Sequence, residues 1–311
     1  MNDLALLMGA SIDSGTALAL AGLGLLINER AGVVNLGAEG LMLVAAVTGF
    51  ATAVHTGSTA AALLVGGIAA AALALCFGLL VVGLNTNQYA TGLALSLFGS
   101  GFSAFIGLGY TQESLAQRLG GKASSTWFAG LAELPGVGPV LFGHHPMAYG
   151  AVALSALVAW FLFRTRAGLA LRAIGERPEV AHALGYPVRR IRLVAVTAGG
   201  ALCGLAGAYV SVIYTPLWVE GMIAGRGWIA LALTSFATWR PARVLLGAYL
   251  FGGVTMLQLH LQGRGVNLPV QLLTSLPYVS TILVLVLIAR RPSWIRANMP
   301  ASLGKPFHPH A

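Results

Sequence analysis

Apolar residues run through this chain in long unbroken stretches, and nine of them can be read, over residues 5–27, 36–54, 60–84, 89–108, 146–163, 193–214, 227–239, 244–262 and 270–289. A helix needs about 20 such residues to cross a hydrocarbon core roughly 30 Å thick. Lipid gives exposed backbone amides no partner, so a spanning run must be a helix; the barrel alternative needs alternating strands of about ten residues, which the pattern lacks. The predicted fold class is therefore all-α, a polytopic transmembrane helical bundle of about nine spans. The seventh run is short, and only Arg240-Pro241-Ala242-Arg243 parts it from the eighth. Those two runs are expected to form a tight helical pair.

The polar positions between the runs set the expected orientation. Arg164, Arg166, Arg172, Arg177, Arg189, Arg190 and Arg192 crowd the segment 164–192, against Glu176 and Glu179. Arginine-rich short loops stay in the cytoplasm. Counting spans outward from that anchor puts Arg240 and Arg243, and then Arg290, Arg291 and Arg296, on the same side, with the N-terminus outside and the C-terminus inside. The segment 110–145 then lies outside, where Arg118 and Lys122 balance Glu113 and Glu133. One transmembrane domain over 1–297 is expected, followed by a tail, 298–311, whose composition predicts disorder. His308 and His310 in the tail lack a third ligand, so no metal site is expected.

Composition narrows the class. The chain of 311 residues is 57% hydrophobic and 9% charged, whereas soluble domains carry about a quarter charged residues. A soluble enzyme is excluded. Lys and Arg outnumber Asp and Glu by 18 to 9, but they gather in loops and form no aromatic-interleaved patch, so the excess reports topology and no nucleic-acid partner. Cys76 and Cys203 lie inside apolar runs, where packing is their expected role. The N-terminus has no basic region before its first apolar run, so no removable signal is expected. No phosphate-binding G-x-x-x-x-G-K-[ST] loop occurs, and no series of carboxylates lies within the spans to relay protons. Energy is expected to come from another protein, with a secondary carrier or channel as the alternative.

Three constellations remain. Residues 28–40, with Asn28, Glu29, Asn35, Gly37 and Glu39, concentrate charge, amides and glycine between the first two spans; they read either as a broken helix beside a transport path or as an ordinary turn. Residues 172–187 predict a two-turn helix, with Pro178 in its first turn, Glu176 and Glu179 at its positive end, Gly185 as left-handed cap and Pro187 as stop. With only Val180, Ala181, Ala183 and Leu184 as apolar contacts, so short a helix needs support, from a protein partner or from lipid headgroups. Around Gly225 and Arg226, three glycines predict a re-entrant or tightly packed entry on the outer side. Trp218 and Trp228 fit an interfacial belt better than a stacking site. Gly200 and Gly204 give a GxxxG spacing for close helix contact, within one chain or across a dimer.

Read in order, NERAGVVNLGAEG, RAIGERPEVAHALGYPV and AGRGWIALALTSFATWRPARVLLGAYLFG resemble the permease subunits of bacterial ABC importers of the nucleoside and simple-sugar type, related to ribose and branched-chain amino-acid permeases, over about residues 15–290. The resemblance implies a bacterial inner-membrane, multi-pass protein that is not itself an enzyme, with ATP and magnesium held by partner ATPase subunits. It also implies a second permease subunit, either a paralogue or a second copy, and an extracytoplasmic binding protein. It carries a coupling role to Glu176, Pro178, Glu179, Ala181, Leu184 and Gly185, and a place beside the translocation path to Asn28, Glu29, Asn35, Gly37, Glu39, Gly225 and Arg226. Substrate identity stays open among nucleosides, bases, sugars and amino acids.

Overall fold

The computed structural model describes residues 2–115, 130, 138–264, 269–290 and 298–308. All the elements are helices: α1 (Asn2–Arg30), α2 (Ala38–Thr56), α3 (Thr59–Gly78), α4 (Gln88–Gly107), the short α5 (Gly138–Leu141), α6 (Pro146–Arg164), α7 (Arg166–Glu176), α8 (Pro178–Ala183), α9 (Val188–Tyr209), α10 (Arg226–Phe236), α11 (Pro241–Gly263), α12 (Val270–Thr274) and α13 (Leu276–Ala289). A single bridge, Ser114 to Leu217, joins two loops. Most of the expected outer loop, residues 116–129 and 131–137, and the segment 291–297 with Arg291 and Arg296 lie outside the described residues.

Seven helices among the described residues are long and apolar enough to cross a membrane: Ala5–Arg30, Ala38–Thr56, Thr59–Gly83, Gln88–Tyr110, Pro146–Arg164, Val188–Tyr214 and Pro241–Gly263. Two of the about nine expected spans are not among these seven. The run at 227–239 forms α10, whose 11 residues reach only about 16 Å at 1.5 Å per residue. The last run is broken at Ser275 into α12 and α13, 5 and 14 residues long.

Burial follows position in the bundle and not apolarity, since the span Thr59–Gly83 is the more apolar but the span Ala5–Arg30 the more buried. Residues 14–26 of α1 are buried without interruption, because α6, α9, α10 and α11 surround this helix. Helix α9 packs on α1, α2 and α3, and its small residues set the spacing. A Cβ added at Gly200 would stand 2.1 Å from the Ala74 Cβ, and one at Gly204 would stand 2.6 Å from the Ala70 Cβ. The GxxxG face is thus spent on α3 of the same chain. Leu97 and Phe105 of α4, Ile68 of α3 and Leu287 of α13 are exposed, as lipid-facing positions are.

The tail differs from its expected disorder. Residues 298–308 lie against the end of the bundle where α1 stops and α9 starts. Ser302 N–H donates to Gly175 O at 2.9 Å, Gly304 N–H donates to Gly32 O at 3.1 Å, and Phe307 is buried with Ile174, Ala181 and Val188. One serine hydroxyl and one buried aromatic ring suffice to order a polar segment when each meets a prepared partner.

Candidate functional site

Helix α9 serves as a ruler for the segment after α1. Gly199 touches Asn28, and Gly207 touches Met42; the eight residues between them correspond to about 12 Å along the axis. Residues 31–37 are non-helical and lie between those two contacts, so the chain passes from α1 to α2 alongside α9 and inside the bundle. Such backbone survives there only when its polar groups are satisfied by protein. Gln88 Oε1 accepts from Val34 N–H at 2.8 Å, Ser96 Oγ donates to Leu36 O at 2.8 Å, and Asn35 Oδ1 accepts from Gly37 N–H at 2.9 Å. Both polar atoms of the buried Asn28 amide and Asn35 Nδ2 have no partner.

At the start of α2, the Glu39 carboxylate reaches the N-terminus of α10. It accepts from Gly225 N–H at 2.8 Å and from Gly227 N–H at 2.7 Å, an anion at the positive end of a helix dipole. A Cβ at Gly227 would stand 2.5 Å from Glu39 N, which is why glycine is needed at this contact. Glu39, Gly225 and Arg226, separated by nearly 190 residues, therefore meet. They do so at the start of α2. Arg226 Nη1 donates to Met222 O at 3.0 Å, and the guanidinium sits 5.5 Å from the Tyr214 ring centroid.

The other end of α10 meets the end of α1. Thr238 and Trp239 both have positive φ, at 50° and 52°, a conformation costly for residues with a Cβ. The turn is held by side chains from α1: Arg30 Nε and Nη2 donate to Trp239 O at 3.2 and 2.8 Å, and Trp239 Nε1 donates to the Glu29 carboxylate. Arg30 Nη1 also reaches Asn298 O at 3.1 Å. Beside it, buried Arg192 donates to Ala31 O at 3.0 Å and to Ser302 Oγ at 3.0 Å. The tail thereby ties the residue 28–40 segment to α7.

Helix α8 projects from this end. Pro178 occupies its first turn, and Gly185 (φ +86°) closes it. Gly185 N–H donates to His182 O at 2.9 Å, and Tyr186 N–H donates to Ala181 O at 3.1 Å, the paired bonds of a Schellman cap. Pro178 and Ala181 face inward, Glu176 and Glu179 are exposed, and Glu176 Oε2 accepts from Ala301 N–H at 3.3 Å. Val180 and Leu184 are 51% and 73% exposed. Two large apolar side chains on a two-turn helix outside the bundle are an uncovered contact surface.

A cavity of about 470 Å³ with a mixed lining opens where α10, α11, α12 and α13 meet: Ala224, Ile229 and Pro277 give it apolar wall, and Arg226, Thr255, Gln258, Gln271, Ser275 and Tyr278 bring polar groups to it. Of the residues singled out in the sequence, only Arg226 lines it. Asn28, Glu29 and Asn35 are instead packed in the junction behind. The apolar count along 244–262 and 270–289 hides the rest, although Thr255, Gln258 and Gln262 recur at helical spacing along α11. That recurrence is the signal of a polar face.

Apolar helices that enclose discontinuous backbone and a cavity of mixed lining make this a multi-pass membrane transport protein. Residues 7–289 match the family model described as the branched-chain amino acid transport system / permease component, and the chain belongs to that family. It is 40% identical to a chain of Haloferax volcanii named provisionally as a glucose ABC transporter permease, over 97% of both chains. It is 30% identical to the guanosine ABC transporter permease of Bacillus subtilis, over 98% of this chain and 97% of the relative, and 30% identical to the nucleoside ABC transporter permease of Lactococcus lactis, over 92% and 93%. No solved structure matches the chain.

Proposed function

We propose that this permease forms one half of the pore of an ABC importer and carries a neutral, hydroxyl-bearing solute, a simple sugar or a nucleoside, into the cell. The exposed apolar pair Val180 and Leu184 on α8 carries this reading. A helix too short to stand alone, started by Pro178, closed by the Gly185 cap and held on its inner side by Ala181 and Phe307, is built to present those two side chains to another protein. That protein is the ATPase, and the arginine-rich end faces the cytoplasm of the cell that holds the importer in its plasma membrane.

The cavity supports the substrate class. Its polar lining combines amides, hydroxyls and a tyrosine ring with no carboxylate, and its one cation is already engaged with Met222 O and the Tyr214 ring. Amides and hydroxyls bind sugar hydroxyls or base edges, and Tyr278 offers a face for either. The named solutes of the relatives, glucose, guanosine and nucleosides, share this chemistry. A binding protein delivers the solute from outside, and a second permease, paralogue or copy, completes the pore. ATP on the partner subunits closes them against α8, and each ligand acts by favouring one of two states of the pore.

The test is Gly185→Val in the reconstituted importer. A β-branched residue at φ +86° is disfavoured by about 1–2 kcal/mol, so the cap opens and Val180 and Leu184 lose their placement. Uptake is expected to fall at least tenfold while ATPase activity stops responding to the loaded binding protein. Unchanged coupling in this variant would remove α8 from the transmission path.

A further inference from the structure

On the flank of the bundle away from the cavity at α10, α6, α7 and α9 enclose an open apolar groove of about 940 Å³, within the range of ligand sites. Its walls include Leu157, Trp160, Val194 and Ala198, and two arginines, Arg166 and Arg190, stand at one end. Leu157, Trp160 and Val194 are 56%, 58% and 68% exposed, so no other part of the chain among the described residues covers the groove. Arg166 is the first residue of α7, and Arg190 lies in the first turn of α9. Both are exposed, and neither makes an ion pair with an acid among the described residues. The order along the groove is thus apolar wall, interfacial tryptophan, then paired cations at the membrane boundary.

We propose that this groove is a binding site for one anionic phospholipid, with its acyl chains along Leu157, Val194 and Ala198 and its phosphate between Arg166 and Arg190. Basic pockets between membrane helices at the headgroup level recognise anionic lipids through this pairing of charge and apolar length. A zwitterionic lipid matches the walls but leaves the two arginines without net countercharge. A soluble phosphate matches the arginines but leaves the walls bare. Because α7 leads directly into α8, an occupant of the groove also braces the base of the exposed helix.

The experiment uses the purified full-length chain in detergent, titrated with phosphatidylglycerol or phosphatidylcholine of identical acyl chains, with bound lipid counted by native mass spectrometry and unfolding followed by temperature. One phosphatidylglycerol is expected to bind saturably and raise the unfolding midpoint, with phosphatidylcholine weaker by about tenfold or more. The double variant Arg166→Gln with Arg190→Gln should abolish that preference, and Ala198→Trp should fill the groove and reduce binding of both lipids. Equal binding of the two lipids by the unmodified chain would overturn the proposal, as would an undiminished preference in the double variant. Competition by glycerol phosphate as strong as by the intact lipid would also overturn it. So would disulfide capture of a second protein chain by Val194→Cys, since the groove would then be a protein interface.

Discussion

The two ends of α10 lie in one short helix and are held by opposite means. At its N-terminus a single carboxylate, Glu39, accepts two backbone N–H groups, and the adjoining space is a cavity. At its C-terminus a turn with two consecutive positive φ values is clamped by Arg30, by Glu29 and, through Arg30, by the tail. One end is satisfied by one removable partner and faces open volume; the other is a closed network in which every member holds another. Fewer bonds would have to break to open the first end than the second.

The largest expected effect is at the clamped end. Arg30→Ala leaves Trp239 O without the Arg30 donor, removes one bond to Asn298 O and releases the positive-φ turn, so a loss of about 3 kcal/mol or more is expected. Thermal unfolding in detergent measures it, and a loss under about 1 kcal/mol would mean that the turn holds itself. At the cavity end, Glu39→Ala removes two charge-assisted bonds at a helix terminus, for about 1–2 kcal/mol. Uptake is expected to fall while the variant still assembles with its ATPase. Equal losses of stability in the two variants would erase the distinction between the ends.

The smallest effect concerns the far side of the bundle. There His144 Nδ1 lies 2.9 Å from Asp13 Oδ1. Burial disfavours the imidazolium, but the bond to Asp13, the Val140 carbonyl and the Asp13 charge outweigh it and hold His144 above its ordinary 6.5. A raised value means that the pair stabilises the fold fully below about pH 6.5 and ceases to do so as pH rises through the higher folded value. Stability measured by thermal unfolding should therefore fall slightly from about pH 6 to about pH 8, by about 1 kcal/mol for a pair whose histidine is buried and whose carboxylate is partly exposed to screening. His144→Gln should flatten this slope, and an unaltered slope would assign it to other groups.

Local chemistry was legible wherever a few neighbouring residues decide the outcome. Pro178 and Gly185 mark both ends of α8 because a fixed φ and a free φ act within one turn, and the seven long helices follow from unbroken apolar length. The composition of segment 28–40 left a broken helix and an ordinary turn equally open. What the pattern did not carry depends on partners far along the chain. The order of the tail comes from Arg192 and Phe307 contacts across more than 100 residues. The short run at 227–239 was visible in the sequence, but the meeting of Glu39 with Gly225 and Gly227 at the start of α10, across nearly 190 residues, was not. Thr255 and Gln258 were lost in an apolar average because a cavity uses only one face of a helix.

The central claim, that the cavity end of α10 lines the solute path while the clamped end is sealed, can be tested by thiol accessibility. In a Cys76→Ser background, Gln258→Cys at the cavity and Ser302→Cys in the clamp are each exposed to a small hydrophilic maleimide, in the assembled importer with and without solute-loaded binding protein and ATP. The account predicts that Gln258→Cys reacts readily, at a rate that changes several-fold with the state of the importer, while Ser302→Cys stays unreactive throughout. Reaction of Ser302→Cys in step with transport, together with a constant rate at Gln258→Cys, would contradict it.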